Sequence, residues 1–261
     1  MPDYKTELYA LGTGNPITSL VSFSSPIEEY CTAFAERSSP FLNYYTFQDR
    51  DVQKQVLTRG EFWDLANSVA AYIIDQGLSK GDRIVHSFSA NTVYDLVFRL
   101  AAVLTGCVPV TINWQADDNE RIIYKATITK AKLMIYDSGF ASRVEEVKPS
   151  LSQMQFAEAS KVAQNQVRNQ LTYPSLSYDD EKIIVFTSGT TGKPNGVSLS
   201  HRSYLANRLT FEQYFGVSDT TRLDLLLVNP LHHGNSTAIW DWGLRRSGAT
   251  IHLVERYSTL Y

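Results

Sequence analysis

From residue 83 to residue 136, short apolar runs alternate with stripes of helical period, and no other feature limits the fold as strongly. Residues 83–88, 108–112 and 132–136 read as buried strands. Between the first two, Val93, Leu96, Val97, Leu100, Ala101 and Leu104 mark one face of a helix over residues 91–105, with Gly106 as its stop. Asp117 and Glu120 form a capping-box pattern opening a helix to about Thr129. An earlier helix starts at Thr58, where Thr58 and Glu61 make another such box. Phe62, Leu65, Ala66, Val69, Ala70, Ile73 and Ile74 then recur at helical spacing as far as Gly77. Strands alternating with amphipathic helices require crossover connections. The expected fold class is therefore α/β, with mostly parallel sheets flanked by helices.

Residues 151–178 break the pattern: glutamines lie among Ser and Asn, and Pro174 follows. This stretch reads as a linker or as a loop-rich connection with a short helix inside it. It divides a first α/β subdomain, residues 1–150, from the start of a second, residues 179–261. Strands are expected there at 183–186, 197–199, 223–228 and 249–254. Ser200 caps a helix running to Phe215, and Gly216 ends it.

The chain has 261 residues, 43% hydrophobic and 20% charged, with a net charge of −3. That supplies a substantial core and carries no basic excess for nucleic acid. Cys31 and Cys107 stand apart without a CxxC pair, which argues for a reducing compartment and against a disulfide framework or zinc site. No secretory signal or transmembrane segment is visible, and the cytoplasm is the expected location.

The chemistry is concentrated in residues 183–201, IIVFTSGTTGKPNGVSLSH. A buried strand delivers the chain into Thr187, Ser188, Gly189, Thr190, Thr191 and Gly192. Glycines allow close backbone approach, and successive amides and hydroxyls make a donor surface suited to phosphate oxygens. Lys193 adds a positive charge. This is not a Walker A loop: only two residues separate Gly189 from Gly192, and Pro194 stands where Ser or Thr would coordinate magnesium. The remaining alternative is a polar, Gly-rich turn without a ligand.

TSGTTGKPNGV resembles the phosphate-binding signature of the adenylate-forming superfamily of acyl-CoA synthetases, luciferase-like enzymes and peptide-synthetase adenylation domains. Residues 57–82 are similar to that family's early helix, residues 83–113 to its next strand–helix–strand, and VNPLHHGNSTA (residues 228–238) to its "P-L-[FH]-H" motif. The match in order and spacing runs from about residue 25 to the end. The resemblance implies the N-terminal, truncated part of the family's large domain. It also implies activation of a small-molecule carboxylic acid by ATP with Mg2+, giving an acyl-adenylate, followed by transfer to coenzyme A. Under it, Thr187, Ser188, Gly189, Thr190, Thr191, Gly192, Lys193 and Asn195 hold the ATP phosphates, while His232 and His233 line the substrate side. His233 is not needed as a general base, because an acid substrate is already ionised near neutral pH. Trp240 and Trp242 are assigned to helix packing rather than to an acyl pocket.

Two departures qualify that expectation. Asn195 stands where most relatives carry lysine, which predicts weaker pyrophosphate contacts. The family's later signatures for adenine, magnesium, ribose and the adenylation lysine are not in this sequence, so a C-terminal half is an expected partner. The chain alone is expected to be inactive. The competing reading is a non-catalytic nucleotide- or protein-binding module.

Overall fold

The structure is a computed structural model describing residues 23–48, 51–164, 171–187, 193–218 and 220–256. Ser25 caps α1 (Pro26–Ala33) by accepting from the Glu28 amide. An antiparallel hairpin follows, β1 (Pro40–Gln48) and β2 (Asp51–Thr58). Thr58 then opens α2 (Arg59–Asp75) with the expected reciprocal box: its hydroxyl accepts from the Glu61 amide, and the Glu61 carboxylate accepts from the Thr58 amide. The crossover units come next: β3 (Arg83–Ser87), α3 (Val93–Thr105), β4 (Val108–Thr111), α4 (Asn119–Ile128) and β5 (Leu133–Tyr136). Gly106 closes α3 at φ +71° and Gly216 closes α7 (His201–Phe215) at φ +64°, a left-handed conformation that glycine adopts without strain.

One detail of α4 corrects the sequence reading. Its cap is Asp118, which accepts from the Arg121 amide, and not Asp117. Asp117 accepts instead from the Asn113 amide and from the Lys125 ammonium, so tertiary partners decide between adjacent aspartates.

The 151–178 connection holds more structure than expected. After α5 (Ala141–Val147), β6 (Gln155–Glu158) adds a strand and α6 (Ala159–Ala163) supplies the short helix. The remaining elements are β7 (Glu181–Phe186), β8 (Gly196–Ser200), β9 (Leu223–Leu227), α8 (Gly234–Leu244) and β10 (Ala249–Val254).

Two sheets form among the described residues, ordered β2-β1-β10-β9 and β6-β5-β3-β4-β7-β8. Neighbours are parallel except β1/β2 and β7/β8. Both sheets cross the expected subdomain boundaries, since β7 and β8 extend the first crossover sheet while β9 and β10 join the N-terminal hairpin. The six-stranded sheet is covered on both faces. Ile84, Leu133 and Ile135 face α2, α3 and the other sheet, whereas Val85, Met134 and Val110 face α4 and α5. Alternate side chains of a strand point oppositely, so a sheet buried on both faces requires continuous apolar strands. Trp240 of α8 is 3% exposed and packs 5.8 Å from Phe41 and 5.5 Å from Phe62, ring to ring. Trp242 donates to Glu212 and stacks on Phe211, so both tryptophans pack helices as expected.

Candidate active site

Parallel strands place their carboxyl ends on one edge of a sheet, where open α/β folds bind ligands. Here β4 ends at Thr111 and β7 runs into Thr187. The Thr187 amide donates to the Asn195 carbonyl at 3.0 Å, closing the base of the loop between β7 and β8. Ser188, Gly189, Thr190, Thr191 and Gly192 lie outside the described residues. Lys193 is exposed, and its ammonium sits 5.2 Å from the centre of the Tyr124 ring. Asn195 is also exposed.

A cleft of about 310 Å³ opens at this edge. Thr187 and Pro194 line it from the loop, and His232, His233 and Gly234 from the start of α8. Two motifs some forty residues apart thus meet in one space. A third wall, which neither motif signals, comes from Asp117, Arg121 and Lys125 of α4 and its approach. Lys125 is 3% exposed, bonds to Asp117, and lies 4.8 Å from the Phe186 ring centre. Burial lowers the Lys125 pKa, against the pull of Asp117. A lysine on the inward side of an amphipathic helix was the available signal.

The two histidines differ. His233 precedes α8 and is exposed; its amide donates to the Pro230 carbonyl at 3.0 Å. His232 is 8% exposed, edge-on to Trp114, and burial with the nearby His233 and Arg99 pushes its pKa down to about 3. It is a neutral imidazole near neutral pH.

The backbone before these histidines is held by α3 and its approach. Asn91 Oδ1 accepts from the Leu231 amide at 2.9 Å, and Asn91 Nδ2 donates to the Asn229 carbonyl at 3.1 Å. Arg99 donates to the Leu231 carbonyl at 2.9 Å and to Asp95 through Nε at 2.8 Å. Burial opposes ionisation of Asp95, yet Arg99 and His86 outweigh it and hold the carboxyl well below the usual carboxylate range. The sequence signal was an Asp95/Arg99 pair at i, i+4 inside an otherwise apolar helix.

The AMP-binding enzyme family model matches residues 36–261. The chain belongs to the AMP-binding enzyme family. It is 26% identical over 221 residues to a probable CoA ligase from Humulus lupulus, covering 77% of this chain and 38% of that protein. Against a nonribosomal peptide synthetase from Ceriporiopsis subvermispora, identity is 30% over 157 residues, covering 58% of this chain and 6% of the synthetase. The O-succinylbenzoate coenzyme A synthetase from Bacillus subtilis, in complex with AMP, superposes with a TM-score of 0.73 at 18% identity. That match covers 88% of this chain and 56% of the Bacillus protein, so this chain shares its fold. The chain spans 38% or less of the two sequence relatives it matches. Among the described residues no helix is long and apolar enough to cross a membrane.

Proposed function

We propose that this chain supplies the phosphate-binding loop and one wall of the acid-binding side of an enzyme that activates a carboxylic acid with ATP, giving an acyl-adenylate and pyrophosphate. The observation that carries this reading is the shared cleft, in which Thr187 and Pro194 from the loop face His232 and His233 from the second motif. Family membership supports the reaction class. The relatives include both a probable CoA ligase and a peptide synthetase, and transfer of the acyl group to coenzyme A is the acceptor step we favour.

In this mechanism the carboxylate attacks the α-phosphorus of ATP and pyrophosphate leaves. Loop amides and the Thr187 hydroxyl donate to phosphate oxygens where negative charge accumulates. Lys193, exposed at the end of the loop, can swing from Tyr124 toward the phosphates. His232, neutral and following the clamped Leu231, shapes the acid side without taking a proton. Magnesium would offset phosphate charge. Among the described residues no cluster of three His, Cys, Asp or Glu forms a metal-holding group, and no step is assigned to the ion. We propose that the chain alone binds ATP weakly and does not adenylate, with the remaining machinery in a C-terminal portion.

Asn195 gives a direct test. Asn195→Lys restores a cation beside the loop and is expected to tighten Mg·ATP binding by this chain about fivefold, equivalent to about 1 kcal/mol. Equilibrium dialysis with labelled ATP reads the change. Equal affinity in both proteins would count against Asn195 as a phosphate neighbour, and no ATP binding by either would remove the reading.

A further inference from the structure

His232 separates two spaces. One is the cleft; the other is a smaller cavity of about 10 Å³ lined also by His86, Asn91, Arg99 and Trp114. A cavity of that size holds about one water molecule, provided polar partners face it. Such partners are present. His86 Nε2 and both ring nitrogens of His232 are buried without a hydrogen-bond partner in the protein. The residues are 3% and 8% exposed, so bulk water does not serve them.

The state of His86 follows from its neighbour. Its Nδ1 lies 2.8 Å from Asp95 Oδ1, and Asp95 is held ionised by Arg99. A carboxylate only accepts, so the proton sits on Nδ1 and the Nε2 lone pair is left for a donor. Water is such a donor, and its remaining hydrogen-bonding capacity matches a ring nitrogen of His232 in either tautomer.

We propose that His86 is a positioning residue of the candidate site, acting through one water in this cavity that bridges His86 Nε2 and one buried ring nitrogen of His232. The bridge orients the His232 ring beside the cleft. Asp95 and Arg99 thereby hold both the backbone and the ring of this segment, because Arg99 also binds the Leu231 carbonyl. The functional meaning rests on the reading of the cleft as an acid-activating site; the water site stands on the cavity and the orphaned nitrogens.

The test is nuclear magnetic resonance on this chain labelled with 15N-histidine. A long-lived water cross-peak to the ring protons of both His86 and His232 is expected, with His86 in its Nδ1–H form. In folded His86→Phe the cross-peak should vanish and the His232 nitrogen shifts move. An absent cross-peak in the unaltered chain would overturn the proposal, whether or not the variant folds; so would His232 shifts unmoved in the folded variant. ATP binding by the same sample separates the two ideas. Binding without the water signal removes only this proposal, and the water signal without binding removes only the functional reading.

Discussion

Asp241→Ala is expected to destabilise the chain by about 3–5 kcal/mol, the range for removing one partner of a buried ion pair. Asp241 is 1% exposed and accepts from Tyr30 at 2.6 Å and Arg245 Nε at 2.7 Å, with the Lys182 ammonium 2.6 Å away. Arg245 also bonds to Glu29, which pairs with Arg208. Alanine would leave two cations buried beside each other with one anion fewer. Burial already pushes the Lys182 pKa down to about 8, against the attraction of Asp241. Asp241→Asn, which keeps an acceptor, should cost less. Because Lys182 lies in β7, the strand leading to Thr187, the cluster ties the loop's base to α1, α7 and α8. Urea unfolding measures the loss; a change below about 1 kcal/mol would mean that the cluster is replaceable.

Acid should unfold the chain starting well above the carboxylate range. Burial lowers the pKa of His86, His201 and His232, reaching about 3 for His232. In the unfolded chain these rings protonate near 6.5, so between that pH and their folded values the unfolded state binds more protons. Their stabilisation is therefore complete above pH 6.5 and is lost as pH falls from there through their lowered folded values, about 3 for His232. Each such proton contributes a slope of about 1.4 kcal/mol per pH unit. Asp95 and Asp241, held low by their cationic partners, extend the loss below about pH 4. The urea midpoint should fall between pH 7 and pH 5, and His201→Leu should remove about one proton from the slope. A midpoint constant over that interval would contradict the burial of neutral imidazoles.

Periodic stretches were legible because one force dominated them. The residues of β10 were read as they stand, as were the caps at Thr58, Ser200, Gly106 and Gly216. The β1–β2 hairpin escaped because its pattern does not alternate: Phe41, Leu42 and Asn43 are all buried, while most of β2 faces solvent. β6 escaped because four residues, QFAE, carry no period and are recruited by pairing with β5. Both site motifs were visible in the sequence, and the cleft unites Thr187 with His232 and His233. The clamps were not visible. Asn91 and Arg99 act on residues more than 130 positions away, and only the fold brings them together.

These two motifs are proposed to form part of an acid-activating site. Carboxylate-dependent exchange of labelled pyrophosphate into ATP, measured with the chain alone and with the protein extended to the length of its relatives, tests it most directly. No exchange is expected from this chain, and exchange is expected from the extended protein with at least one carboxylic acid, weakened when His232 or His233 is replaced. Exchange by this chain alone would contradict the assignment of an incomplete site, and hydrolysis of ATP to ADP and phosphate by the extended protein, without exchange, would contradict the chemistry itself.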